Sequence, residues 1–273
     1  MYVGLLTVPF RDETLESIAQ WAAEAGYAAL EVHTRHLDPK AVLADDGKAV
    51  KNLLAATGLR ISSIAHYEIF NRGGASPEPY VAKVKEVLAA AEALGLDTVC
   101  LLAGFPAEGK SKMDTIREDL PAVYEPLAAD AAGRGIRIAF ENWFATNLQH
   151  LDHFRALTEV LPAANVGFNF DPSHLYWQGI DYLAAVSEFG DRVFHTHAKD
   201  VALRKDVLAR VGVLDGAWWR YVIPGFGDID WGRFVLALRE IGYDGVLSVE
   251  HEDKAFDAKA GFTAAVRHLS QFV

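Results

Sequence analysis

A single (β/α)8 TIM barrel, an α/β fold with a closed ring of parallel strands, is the architecture this sequence predicts, and three observations predict it. Short, continuously apolar runs alternate with amphipathic segments along the chain, as expected when parallel strands are covered on both faces by helices. Helical patterns close on glycines at regular spacing: Gly26, Gly58, Gly95 and Gly135 lie 32, 37 and 40 residues apart, about one βα unit each. The length, 273 residues, is ordinary for one such barrel.

Taken in order, the strands are expected at 3–8, 28–33, 60–66, 98–103, 137–142, 166–171, 192–199 and 245–251. Between them, segments such as TLESIAQWAAEAG, YVAKVKEVLAAAEALG and DIDWGRFVLALREIG carry apolar residues at helical spacing. Thr14 with Ser17 three positions on, and Asp230 before Trp231, are helix-start signals. The glycines that follow, including Gly242, suit the left-handed conformation that ends a helix without a Cβ clash. No Pro/Gly/Ser-rich linker divides the chain, so residues 1–273 are expected to form one domain. The longest irregular stretch, about 201–227, carries Trp218, Trp219, Arg220, Tyr221 and the turn-forming PGFGD. A long loop in a compact domain is commonly functional. At the C-terminal face of a barrel it would lie over the mouth, as a lid touching substrate or partner or as plain surface packing.

Composition narrows the function classes. Apolar residues make up 51% of the chain, enough for a sizeable core, and 26 basic against 37 acidic residues give a net charge of −11. That balance lacks the basic footprint of a nucleic-acid binder. The lone cysteine, Cys100 in TVCLLAG, excludes an internal disulfide and fits core filling in a reducing cytosol. The N-terminal MYVGLLTVPFRDE has no basic region before its apolar residues, unlike a signal peptide, and no apolar stretch approaches a membrane span. A cytoplasmic protein without nucleic-acid or membrane partners is expected.

Four successive apolar runs end on residues that can hold a divalent cation: IAFENW with Glu141, VGFNFDPSH with Asp171 and His174, VFHTHAKD with His197, and VLSVEHED with Glu250. In a barrel these would close strands five to eight, neighbours around the ring, at the face where catalytic groups gather. Singly, such residues are more often solvated acids or satisfied core histidines; in register on consecutive strands they point to a shared metal site. Three carboxylates and one imidazole suit Mn²⁺, Mg²⁺ or Co²⁺, with Zn²⁺ as a further option, and disfavour a structural thiolate site. His195, His197 and Lys199 alternate and should face one way. His197, last before the KD turn, is placed at metal height, with His195 a layer lower and Lys199 and Asp200 at the rim. Glu31 and His33 end strand two and His66 ends strand three, as partners for sugar hydroxyls or as packing residues. Phe10, Trp143 and Trp177 lie just past other strand ends, where they would wall a pocket or pack against loops.

The motifs FENW, NFDPSH, HTHAKD, PGFGDIDW and SVEHED, in that order across essentially the whole chain, resemble those of the xylose-isomerase-like sugar phosphate isomerase/epimerase superfamily. It includes ketose 3-epimerases, inosose isomerases and dehydratases, hydroxypyruvate isomerases and, more distantly, endonuclease IV. The resemblance implies one divalent metal ion, Mn²⁺ as first choice, held by Glu141, Asp171, His197 and Glu250, with His174 beside it on the substrate. It also implies that Glu141 and Glu250 act as a base/acid pair, moving a proton next to a carbonyl through an enediolate. Lys199 and Arg204 are the basic residues that would contact a substrate hydroxyl or phosphate. The expected function is a sugar or cyclitol isomerase/epimerase acting on a small carbohydrate, with a free sugar favoured because no Gly-rich phosphate fingerprint or Arg cluster is present. The alternative is a lyase on the same site, dehydrating an inosose or eliminating from a 3-keto-glycoside, where Trp143 and the Trp-rich loop would accommodate a bulkier aglycone. A DNA-repair endonuclease is disfavoured, since GFGDIDW lacks the Asp-x-His pair of that branch. A catalytically inert barrel is disfavoured by the intact quartet. Assembly as a homo-oligomer or hetero-oligomer is left open, with the aromatics of 201–227 as a candidate interface.

Overall fold

The computed structural model describes residues 1–273. It contains ten strands: β1 (Tyr2–Leu6), β2 (Ala29–His33), β3 (Arg60–His66), β4 (Thr98–Leu102), β5 (Arg137–Glu141), β6 (Val166–Phe170), β7 (Val193–Ala198), β8 (Asp200–Leu203), β9 (Trp219–Val222) and β10 (Val246–Val249). Eight of them close a barrel in the order β1-β10-β7-β6-β5-β4-β3-β2, and the neighbours pair in parallel. All eight expected strands are present, their ends within two residues of the expected ones, and β10 is the eighth strand of the ring.

Local chemistry explains the helices between them. Thr14 caps the helix Leu15–Ala25 by accepting from the Ser17 N–H at 3.2 Å, and Asp230 caps Trp231–Glu240 through the Arg233 N–H at 2.9 Å. A cap of this kind stabilises a helix by about 1 kcal/mol. Gly26, which follows the first of these helices, takes φ +93°, a conformation a Cβ would oppose. The main core lies between strands and helices, with pairs such as Phe154 and Phe168 stacked at 4.7 Å; each such side chain contributes about 1.5–3 kcal/mol on burial. A smaller cluster of Leu6, Ala65, Cys100 and Ala139 fills the barrel itself. No helix is long and apolar enough to cross a membrane.

The stretch 201–227 is not the irregular loop its sequence suggests. β8 and β9 pair antiparallel, Asp200 opposite Val222 and Leu203 opposite Trp219, with the helix Lys205–Val211 between them. The runs DVAL and WRYV are each four residues long, too short to signal a strand when their pairing is non-local. Asp200, expected at the rim, is fully buried. Its carboxylate accepts from the N–H groups of Val201 (2.8 Å), Gly225 (3.0 Å) and Ile229 (3.1 Å) and from the Trp231 indole (2.9 Å). Gly227 permits this clasp, because a Cβ there would stand 2.2 Å from Asp200 Oδ1. The segment PGFGDIDW is thus wrapped around one buried carboxylate, which sets the ribbon over the end of β7.

Candidate metal centre

Glu141 is the last residue of β5, Asp171 follows β6, His197 is next to last in β7 and Glu250 follows β10. One ligand atom from each lies within 4.8 Å of all the others. Asn142 ties two of these strand ends together: its Oδ1 accepts from the Asp171 N–H at 2.7 Å and its Nδ2 donates to the Asp171 carbonyl at 2.9 Å. Asp171 itself caps the short helix Pro172–Tyr176, with Oδ1 accepting from the Ser173 N–H at 2.8 Å. That bond turns Oδ2 toward the quartet. His197 presents Nδ1 to the same point, 3.1 Å from Glu250 Oε2, 3.7 Å from Glu141 Oε1 and 4.0 Å from Asp171 Oδ2.

Two of these atoms, Asp171 Oδ2 and His197 Nδ1, are buried and make no hydrogen bond of normal geometry; only charged neighbours, Lys199 Nζ at 3.2 Å and Glu250 Oε2 at 3.1 Å, stand against them. Buried polar atoms without partners are rare and cost about 1–3 kcal/mol each, so their convergence marks a place where another group is needed. Three carboxylates and one imidazole nitrogen are the donors a hard or borderline divalent cation takes. The residues fit such an ion.

The charges around the site reinforce one another. Lys199 is buried, and its Nζ lies 2.7 Å from Glu250 Oε2, 3.1 Å from His174 Nε2 and 3.2 Å from Asp171 Oδ2. Burial opposes its charge, but Glu250, Glu252 and Asp171 hold the ammonium well above its ordinary pKa. Burial likewise pushes Glu250 up, yet Lys199 and His197 hold it well below the usual carboxylate range. For Glu141, burial and the Glu250 charge raise the pKa, while the adjoining His174 and His197 rings leave it lowered overall. Both glutamates are therefore ionised at neutral pH. His174 stands 3.3 Å from Glu141 Oε1 and its Nδ1 meets the Tyr221 hydroxyl at 2.6 Å, so β9 reaches directly into the site.

The remaining sequence candidates divide. Glu31 is fully buried, and its carboxylate accepts from Tyr67 OH (2.5 Å) and Ser248 Oγ (2.6 Å) and lies 3.0 Å from His197 Nε2. His66 is also withdrawn, packed against Tyr80 with Nδ1 3.1 Å from Thr34 Oγ1. Its neighbour Tyr67 points inward instead, as strand alternation from Ala65 would indicate. Arg204 is exposed and donates to the Ala217 carbonyl at 2.6 Å, closing the ribbon rather than reaching the quartet. Phe10 is buried against Trp21 and Phe262. Trp143 is half-buried between Phe105 and Phe144. Phe144 in turn meets His174, Trp177 and Trp219, and Trp177 stacks on Trp219 at 4.3 Å. Trp218 is buried and Trp219 and Tyr221 are half-buried against this hood, whereas Phe226 of the same stretch is exposed. Phe144, Tyr221, Tyr67 and Asn142 are the residues sequence reasoning misses; for Asn142 the adjacency to Glu141 in FENW was the available signal.

A second group, Glu31, Cys100 and His195, also brings ligand-type atoms within 4.8 Å. There both His195 nitrogens are engaged, by Asn169 Oδ1 at 2.9 Å and Ser62 Oγ at 3.0 Å, and Glu31 is fully occupied. It lacks the orphaned atoms that distinguish the quartet.

Comparison with known proteins agrees with this architecture. The family model of the xylose isomerase-like TIM barrel matches residues 19–272. The uncharacterized protein YfiH of Bacillus subtilis (strain 168) is 31% identical over 214 residues, 66% of this chain and 67% of that protein. The inosose dehydratase of Lacticaseibacillus casei is 28% identical over 260 residues, 89% of this chain and 83% of the relative. With three clostridial inosose dehydratases the match spans less than half of the relative, 46%, 44% and 44%. Among solved structures, 3-keto-D-glucoside 4-epimerase YcjR from E. coli superposes with a TM-score of 0.78 at 17% identity, covering 99% of both chains. The IolI protein with a bound zinc atom gives 0.77 at 19% identity, covering 100% of this chain and 99% of that one. At those identities the structural likeness is one of fold. A match over nearly the entire sequence, on a closed parallel barrel, places this chain in the xylose isomerase-like TIM barrel family.

Proposed function

We propose that this protein removes a proton from the carbon next to a carbonyl in a sugar or cyclitol and returns it to the opposite face of that carbon or to the neighbouring carbon, as a divalent-metal-dependent isomerase or epimerase. The observation that carries this reading is a pair of ionised carboxylates, buried Glu141 and partly exposed Glu250, converging with Asp171 and His197 on one point. A divalent cation bound there, with Mn²⁺ the first choice, would polarise a carbonyl and its neighbouring hydroxyl and so acidify the intervening C–H. Glu141, beside His174, serves as one of the two proton carriers. Glu250 then serves as the second proton carrier from its side of the site. His174, oriented by the Tyr221 hydroxyl, and the Lys199 ammonium supply donors for substrate oxygens. Trp143 and the hood of Phe144, Trp177 and Trp219 offer apolar faces to a ring and keep water from the reacting carbon. The buried, unpaired Cys100 supports a cytoplasmic location.

A second reading keeps the first step and changes its outcome. In a lyase, loss of the proton is followed by departure of a β-hydroxyl or aglycone, and Lys199 and His174, 3.1 Å apart, would protonate the leaving oxygen. The match to an inosose dehydratase over 89% of the chain favours this variant specifically. Incubating the Mn²⁺-loaded protein in D₂O with ketoses, inososes and 3-keto-glucosides decides. Deuterated isomers support the first reading, and loss of water or aglycone supports the second. Absence of both deuterium uptake and product across all three classes would sink the shared proton-abstraction step.

A further inference from the structure

We infer that Glu31 is the positioning carboxylate of His197: it fixes which ring nitrogen carries the proton and thereby sets how tightly the quartet holds a divalent cation. The inference rests on the reading that the quartet is a cation site.

The two nitrogens of His197 meet different surroundings. Nδ1 faces Glu141, Asp171 and Glu250 and has no hydrogen-bond partner. Nε2 lies 3.0 Å from Glu31 Oε2, 3.0 Å from Asn169 Nδ2 and 3.1 Å from Tyr67 OH. An ionised carboxylate only accepts, so Glu31 requires the hydrogen on Nε2. The competing tautomer would let Nε2 accept from Asn169, but it would set a nitrogen lone pair against a buried anion. A charge-assisted hydrogen bond is about twice as strong as a neutral one, so the Glu31 arrangement prevails, the hydrogen stays on Nε2, and Nδ1 is the nitrogen that meets the cation, in place of any proton it shares with Glu250 Oε2 at 3.1 Å.

The surroundings hold Glu31 to this task. Ser248, opposite His197 in the β10/β7 register, donates to the same oxygen that meets Nε2, and Tyr67 donates to the other. Asn169 donates to Tyr67 OH at 3.0 Å, and its Oδ1 lies 2.9 Å from His195 Nδ1. Two register shifts aim these side chains: one falls between Leu30 and Glu31, the other between Phe168 and Asn169. Bulges of this kind recur where a side chain must be re-aimed next to a site. All of these groups are remote from solvent, since Glu31, Asn169, His195 and Ser248 are each buried.

The test is Mn²⁺ binding by calorimetry on the full-length protein, wild type against Glu31→Gln, with ¹⁵N spectra of the histidine ring as a second readout. Glu31→Gln is expected to weaken Mn²⁺ binding about 10–100-fold, the range typical of such supporting partners. In the metal-free wild type Nε2 should carry a proton, whether or not Nδ1 is also protonated against Glu250 Oε2 at 3.1 Å, and the variant should show that Nε2 proton partly lost. Equal affinity with an unchanged ring spectrum in a folded Glu31→Gln protein overturns the inference and leaves the cation site standing. A wild type that binds no Mn²⁺, Co²⁺ or Zn²⁺ overturns the cation site itself. Should Glu31→Gln not fold, Tyr67→Phe decides: it removes a donor to Glu31, keeps the ring's shape, and should weaken Mn²⁺ several-fold. No change in its affinity or ring spectrum would count against the inference.

Discussion

Two arcs of the barrel ring end in the same kinds of residue and use them in opposite ways. In one, β2 delivers Glu31, whose oxygens are taken by Tyr67, Ser248 and His197. In the other, β5, β6, β7 and β10 deliver Glu141, Asp171, His197 and Glu250, and Asp171 Oδ2 and His197 Nδ1 are left without a hydrogen bond. Both sets are buried apart from the partly exposed Glu250. A strand-end carboxylate therefore does not by itself mark a site; several acceptors turned on one point with too few donors do, because their crowding is a standing free-energy deficit. Lys199 shows where the deficit lies. Its ammonium is drawn out of water into the second arc, against Glu250 and Asp171, whereas Glu31 meets the ring of His197.

The sharpest way to break this contrast is to neutralise one carboxylate of the unsatisfied arc. Glu141→Gln should lower solvent-deuterium exchange into a responsive sugar or cyclitol by about 10²–10⁴-fold, with circular dichroism and melting close to wild type. Glu250→Gln should behave alike. Exchange retained in both variants would move the proton transfer to other groups. The next effect is on stability. Lys199→Met leaves buried Asp171 and partly exposed Glu250 uncompensated, which should cost about 3–5 kcal/mol in urea unfolding of the metal-free protein. Saturating Mn²⁺ should restore more stability to this variant than to wild type. An unchanged midpoint would mean that the second arc has no charge deficit. Smaller again is the wild-type response: at a free Mn²⁺ concentration about 100 times its Kd, stability should rise by about 2.7 kcal/mol. A melting curve indifferent to the ion would remove the quartet as its binding place.

The eight barrel strands and the order of the four donors are legible in the sequence because each signal is local: an apolar run, then a ligand-type residue. What a donor does is not local. Glu31 and Glu141 both end strands, and only the bulge at Leu30/Glu31 and the cross-barrel neighbours Tyr67 and Ser248 separate their roles. His66 and Tyr67 are a case where more could have been read. Ala65 lies in the inner cluster, so a period of two puts Tyr67 on the inner face and His66 on the outer one. The β8/β9 ribbon was beyond local signals, since its pairing spans the whole helix Lys205–Val211. With it went Tyr221 and Trp219 over the mouth, and Arg204, whose hydrogen bond to Ala217 depends on that same hairpin.

The smallest expected effect bears on His66, which ends β3 beside the first arc; its Nε2 is likewise buried without a hydrogen bond. Burial holds His66 at a pKa of about 4, against an ordinary 6.5. The unfolded chain therefore takes up this proton first as the pH falls. Its contribution to stability is complete above about pH 6.5 and is lost as the pH drops toward about 4, where the folded protein becomes protonated too. His33 and His153 are held down in the same direction, again chiefly by burial, so the native protein should begin to weaken in acid below neutrality, before its carboxylates titrate. His66→Gln should lower stability at pH 7.5, where the packing against Tyr80 and the contact with Thr34 are disturbed. It should also flatten the decline between pH 6.5 and 4.5, so that the variant and wild-type curves converge in acid. Urea midpoints measured across that range check the slope. Parallel curves would show that His66 stays neutral in both states or titrates alike in both, and would place the acid sensitivity of this arc on His33 and its neighbours instead.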